Sequence, residues 1–365
     1  MSTAGVDPVD APVARAVAGP AQRSRTAWVD VAKGLSIVLV VGHHVVLQAV
    51  AQGWAPDVAR EVSATLGTLR MPLFFLASGI FATRTLSGPW GRVLERRVVF
   101  FAWLYVLWLV VRYVWFGVLA HGPRLADWPS PWVAVSQLWL PASAMWFLYA
   151  LALFSVVGRA TRAVPAVVRI GAAAVLSALV GSGVVAVDSY AWRSMALNLV
   201  FFLVGADASA AIRRGADAVA RRAVGGLAAG AGAAFVVLSL ALRDPDVVAV
   251  PGMRLLTSVV ALVAGVALAV TLAGTRAGRA PQWLGTRTLE VYLLHGLLVG
   301  VLVRLGALAH PGPTVAAAGV VVVLLATGIA VAGSLATARG LRAVGGGWLF
   351  APPWHGRAGR RAAAA

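Results

Sequence analysis

Asp30-Val-Ala-Lys33-Gly-Leu-Ser-Ile-Val-Leu-Val-Val-Gly42-His43-His44-Val-Val-Leu-Gln48 decides how the chain is read. It is apolar for the length of a membrane-crossing helix, for which about 20 residues suffice, yet a lysine opens it and two histidines interrupt it. Further apolar stretches follow at 66–84, 98–120, 138–158, 165–187, 192–211, 222–242, 254–274, 288–309 and 314–337, and with 34–53 they predict an all-α, polytopic integral membrane protein of about ten transmembrane helices. Composition agrees. Apolar residues make up 60% of the chain and charged residues 12%, about half the share of roughly 25% typical of a soluble domain. The mean hydropathy is +0.85.

The net charge of +18 would fit a nucleic-acid binder, but its placement gives no nucleic-acid partner. The 31 basic residues fall mostly in clusters on alternate links between spans, such as Arg84/Arg92/Arg96/Arg97, Arg159/Arg162/Arg169, Arg213/Arg214/Arg221/Arg222 and Arg276/Arg279/Arg287. The intervening links hold only Arg60, Arg124, Arg193, Arg243 and Arg254. Positive residues stay on the cytoplasmic side, so both termini are expected in the cytoplasm, in a multi-pass protein whose first partner is the lipid bilayer of the cell membrane. The organisation expected is a disordered cytoplasmic tail over 1–27, a membrane domain over 28–337 and a basic cytoplasmic tail over 338–365. Gly226-x-x-x-Gly230 allows close helix approach, and Trp128, Trp132 and Trp139 form an aromatic group at the outer interface. There is no cysteine, which excludes disulfides, thiolate zinc and a cysteine nucleophile. The histidines and buried acids lack ligand spacing, so no metal is expected.

An ionisable side chain at membrane depth costs at least about 2.5–3.5 kcal/mol and persists where it is paired, wetted or used. Lys33 and His44 stand eleven residues apart. On a helix that leaves them about 20° from alignment and roughly 16 Å apart along the axis, while His43 points some 80° away. A cation at the inner boundary and a titratable imidazole at mid-membrane suit a path from a cytoplasmic anion to a buried reaction centre. A snorkelling lysine and a histidine bonded to a neighbouring helix account for the pattern equally well. In the second span Arg70-Met71-Pro72-Leu73-Phe74-Phe75 is followed by Ser78-Gly79, and Pro72 frees backbone carbonyls there.

These residues resemble the acyltransferase 3 family of membrane acyltransferases, in the style of its fucose 4-O-acetylase-like branch. Asp30-x-x-Lys33-Gly34 followed by Gly42-His43-His44 is similar to the family's basic residue, ten residues, then histidine, and selects His44. Met71-Pro72-Leu73-Phe74-Phe75 with Ser78-Gly79, Met145-Trp146-Phe147-Leu148-Tyr149, Asn198 to Gly205, and Leu289-Glu290-Val291-Tyr292-Leu293-Leu294-His295 resemble further family segments in the same order. Gly296 stands where the family usually has proline. About 28 residues follow the tenth span, so the extracytoplasmic hydrolase-like domain of some relatives is not expected, and transfer would rely on the membrane domain or on a separate extracytoplasmic partner.

The resemblance implies acyl transfer, often acetyl from acetyl-CoA, to a hydroxyl of a glycan or lipid-linked sugar, with no permanently bound cofactor. His44 is then the general base or the acyl carrier, with Lys33, Arg70 and Glu290 as catalytic partners. Lys33, Arg84, Arg92, Arg96 and Arg97 hold the coenzyme A phosphates, and Asp30, Ser78, Trp146, Tyr292 and His295 contact substrate. A transporter or flippase for a polar or lipid-linked substrate is the competing class, since a broken helix and buried charges serve it too.

Overall fold

The computed structural model describes residues 20–119, 130–141, 143–220, 224–309 and 316–354. Arg124, Trp128, Arg221 and Arg222, read above as topology or interface markers, lie outside them, as do the tail residues 1–19 and 355–365. The described residues form α-helices and no strand. In chain order these are α1 (Pro20–Ala51), α2 (Asp57–Thr65), α3 (Gly67–Leu86), α4 (Trp90–Val93), α5 (Phe100–Arg112), α6 (Pro131–Ser136), α7 (Trp146–Ala160), α8 (Ala166–Gly181), α9 (Tyr190–Asp207), α10 (Ser209–Ala220), α11 (Val224–Ala241), α12 (Pro245–Ala249), α13 (Met253–Leu272), α14 (Arg279–Gly285), α15 (Thr288–Ala309) and α16 (Ala316–Ala343). Two π-helical stretches, Leu94–Val99 and Tyr113–Leu119, flank α5.

Each of the ten apolar stretches carries a helix. Among the described residues six helices are long and apolar enough to cross a membrane by themselves, and a seventh span results if α9 and α10, bent by 79° at Ala208, are taken together. α8 and α11 are shorter apolar helices. The difference from ten arises because backbone kinks and short helices divide what composition reads as continuous. Exposed leucines and valines cover the outer faces of α8, α11 and α16, among them Val167, Val237, Val320, Leu324 and Leu325. A water-facing surface does not carry such contiguous apolar area, whereas a lipid-facing one does.

α1 is the central helix and packs against α3, α13, α14, α15 and α16. A close crossing joins α3 to α9. A Cβ at Gly79 would lie 2.2 Å from the Phe202 carbonyl oxygen, and one at Gly205 would lie 2.2 Å from that of Leu76. Only glycine permits such backbone contact from both sides. Thr83 Oγ1 also donates to the Ala206 carbonyl across it (3.0 Å). The Ser78-Gly79 and Phe201-Phe202-Leu203-Val204-Gly205 segments therefore meet as two halves of one joint. Gly226 and Gly230 differ: a Cβ at either meets open space, so that motif makes no close approach among the described residues. Aromatic rings fill the space beside the α3–α9 crossing, with Phe75 5.0 Å from Phe154 and Phe154 5.6 Å from Phe202.

The expected tail regions are partly folded. α1 begins at Pro20. At the other end α16 runs to Ala343, and Gly345, at φ 85°, takes the left-handed conformation that turns the chain back. The Leu349 carbonyl then accepts from Trp108 Nε1 (2.7 Å), Phe350 is buried, and the rings of Trp354 and Trp103 lie 5.1 Å apart.

Candidate functional site

α1, α3, α7, α9, α13 and α15 enclose a cavity of about 780 Å³, lined by His43, His44, Arg70, Trp146, Tyr190, Arg193, Asn198, Arg254 and Tyr292 among others. His44 thus faces a cavity, not the lipid. His43 lines it too, but its Nδ1 is tied to Ser63 Oγ of α2 (2.8 Å). The His43 and His44 rings lie 5.4 Å apart.

The more informative neighbour is His295. Its ring centroid is 5.1 Å from that of His44, and the residue is fully buried. Its Nδ1 faces the carbonyl oxygens of Tyr292 (2.8 Å) and Val291 (3.1 Å). Carbonyl oxygens only accept, so Nδ1 carries the proton and Nε2 of the neutral ring is an acceptor. That Nε2 is buried and has no hydrogen-bond partner among the described residues. α15 therefore presents a fixed imidazole acceptor beside the ring of His44 on α1.

Arg70 is 5% exposed, and its Nη1 donates to the Ser63 carbonyl (2.6 Å). The break at Leu66 between α2 and α3 makes this possible, since it brings the end of α2 beside the first turn of α3. Tyr292 lines the cavity and donates its hydroxyl to the Ala144 carbonyl (2.5 Å). The Trp146 ring lies 6.0 Å from a tilted Phe75 ring and meets Tyr190 edge to face at 6.2 Å. Gly296 has a structural explanation: a Cβ there would lie 2.6 Å from Arg112 Nη1, so the absence of a side chain leaves room for the Arg112 guanidinium against α15.

His44, Arg70, Trp146 and Tyr292 thus line one cavity, and the buried His295 lies against His44. Other expected site residues are not in the cavity lining. Lys33 pairs with Asp30 (3.4 Å) and lies over the Phe81 ring at 4.9 Å, in the region where α1 packs against α14. The contact there is close: a Cβ at Gly285 would lie 1.8 Å from the Asp30 carbonyl oxygen. Ser78 belongs to the α3–α9 crossing. Glu290 pairs with Arg342 of α16. Arg84, Arg92 and Arg96 are exposed around α4, while Arg97 is drawn inward, donating to Ser155 Oγ (3.2 Å) and lying over Phe101 at 5.0 Å. Sequence reading passed over Tyr190, Arg193 and Arg254, and took Asn198 only as the start of a family-like segment, not as a site residue. The arginines had been assigned to topology, and Tyr190 carries no signal until the helices are assembled. Among the described residues no cluster of histidines and acids has metal-binding geometry.

Comparison with known proteins gives one match. Residues 26–339 match the family model described as an acyltransferase domain, Acyl_transf_3. No curated protein and no solved structure matches the chain. The match covers the helices that build the cavity and every segment that carried the resemblance, so the chain belongs to the acyltransferase 3 family and is a membrane acyltransferase.

Proposed function

We propose that the protein moves an acetyl group from acetyl-CoA, or another acyl group from its acyl-CoA, to a hydroxyl of a glycan or lipid-linked sugar at the cell membrane, as the fucose 4-O-acetylase-like branch would. The observation that carries this reading is the cavity lined by His44 and Arg70 within the helical bundle, with the buried His295 ring 5.1 Å from that of His44. His44 removes the proton of the acceptor hydroxyl, and the resulting oxygen nucleophile attacks the thioester carbonyl. The carbon–sulfur bond breaks, and the coenzyme A thiolate leaves and takes up the proton from His44. The Arg70 guanidinium, fixed by the Ser63 carbonyl, stabilises the negative oxygen formed at the carbonyl carbon. His295 Nε2, beside the His44 ring and without a partner of its own among the described residues, would accept from His44 in the working complex and leave the opposite nitrogen towards the acceptor, as the orienting group of a catalytic triad does.

Donor and acceptor enter from opposite ends in this reading. Arg84, Arg92 and Arg96 are exposed at the end assigned to the cytoplasm and offer guanidinium groups for the coenzyme A phosphates. Lys33 lies between them and the cavity on α1. The cavity is lined from the first turns of α3, α9 and α13, which the arginine pattern assigns to the outside. A separate extracytoplasmic partner would carry the product onward.

The test uses membrane vesicles containing the protein and radiolabelled acetyl-CoA. Label is expected in a glycan or lipid fraction, and His44→Ala should lower the transfer rate about 10²–10⁴-fold at unchanged protein level. Full transfer by His44→Ala would refute the mechanism. The bent α9–α10 pair is the feature that favours a transporter, and substrate movement without acyl incorporation would establish that reading instead.

A further inference from the structure

The cavity is positively charged. Arg112 belongs to its lining, and so do Arg70, Arg193 and Arg254, while among the described residues no carboxylate does. Among the described residues none of the latter three is ion-paired, although Lys33, Arg169, Arg243 and Arg342 each have a carboxylate partner. Arg193 and Arg254 stand at the beginning of α9 and α13. A helix N-terminus bears partial positive charge and disfavours a cation by about 0.3–1 kcal/mol. The bias of topology also opposes them, since positive residues are depleted on the outer side. Neither local electrostatics nor membrane insertion accounts for two arginines facing one cavity there. A bound anion does.

Polar neighbours suit an anionic sugar. Gln137, Ser194 and Asn198 share the lining, and a side cavity of about 30 Å³ reaches from Arg254 to Ser258 and Asn198. At about 780 Å³ the main cavity is within the roughly 300–1,000 Å³ of small-molecule sites, large enough for a sugar ring with its charged group.

We propose that the acceptor carries a carboxylate or phosphate, which Arg193 and Arg254 bind while its hydroxyl faces His44. The inference deepens the acyl-transfer reading and rests on it for the identity of the ligand as acceptor. Coenzyme A offers phosphates of the same chemistry, but Arg84, Arg92 and Arg96 await those at the other end of the bundle. Guanidinium groups meet carboxylate and phosphate oxygens in paired hydrogen bonds, which rewards the anion over any neutral sugar of equal size.

The experiment measures binding by saturation-transfer NMR on the full chain in lipid nanodiscs, with glucuronate, glucose 6-phosphate, glucose and coenzyme A as probes. The charged sugars are expected to bind about tenfold or more tighter than glucose. Arg193→Gln with Arg254→Gln should bring them down to the level of glucose, and Arg193→Lys with Arg254→Lys should restore part of the difference. Affinity for coenzyme A should change less than about twofold in either double variant. Equal binding of charged and neutral sugars overturns the proposal, as does a glutamine double variant that retains the preference. A fall in coenzyme A affinity parallel to that for the charged sugars also overturns it and assigns these arginines to the donor. Because no acyl transfer is measured, a protein that shows the charge preference yet transfers nothing refutes the reading under Proposed function and leaves the anion site standing.

Discussion

Replacing Gly79 by alanine adds one methyl group at the place where the backbones of α3 and α9 touch. That methyl would lie 2.2 Å from the Phe202 carbonyl oxygen and 2.9 Å from the Ala206 nitrogen, against the 3.4 Å at which ordinary contact begins. The helices must separate by about 1 Å, because the obstacle is backbone and no rotamer can relieve it. Overpacking a core usually costs about 1–3 kcal/mol. Here the upper end applies, since the separation also loosens the Thr83–Ala206 hydrogen bond and the Phe154–Phe202 contact. The expected loss is thus about 3 kcal/mol, measured by reversible unfolding in mixed micelles. Transfer should fall with it, because α3 carries Arg70 and α9 carries Asn198 into one cavity. Gly205→Ala should behave alike, and the double variant should lose less than the sum, since one separation accommodates both methyl groups. A Gly79→Ala protein within about 0.5 kcal/mol of the parent would show that the two backbones do not meet in this way.

Other substitutions separate structural from catalytic roles. His295→Leu removes the acceptor beside His44 but fills similar volume, so transfer should drop about tenfold to a thousandfold with little change in unfolding, as measured by initial rates beside a melting curve. Asp207→Asn leaves Arg169 without its partner in a pair whose side chains are only 8% and 6% exposed, which should cost about 3–5 kcal/mol in the same unfolding assay. Glu290→Gln breaks a pair in which Arg342 is 47% exposed. Its stability cost should stay near or below about 1 kcal/mol, and transfer should persist, because Glu290 is not in the cavity lining. Gly226→Leu meets open space and should be stable within about 0.5 kcal/mol.

The parts of the site that sequence reveals are those whose chemistry contradicts their surroundings. His44 stands out because an imidazole within an apolar helix needs a reason, and helical geometry alone separates it from His43. Arg70 stands out likewise. Arg193 and Arg254 do not, since a basic residue at a helix end is also how membrane proteins set orientation, and a linear reading cannot tell the two uses apart. The α3–α9 joint is hidden for another reason. Gly79 and Gly205 are unremarkable among 39 glycines until the fold brings them face to face. Gly226 and Gly230 have the better motif and no neighbour. Lys33 and His44 lie on one helical stripe as expected, but α14 packs beside Asp30 and Lys33, and the lysine answers to Asp30 instead of opening onto the cavity.

The bond from Trp108 to Leu349 spans 241 positions of the chain. One turn beyond Trp108, Arg112 contributes to the cavity wall. A nascent chain can therefore insert its early helices one by one, yet the indole has no acceptor from this segment until residues near 350 have left the ribosome. Completion of the bundle is deferred until after α16 is made, and a premature stop inside α16 would leave that wall without its brace even though every histidine of the site had already been made.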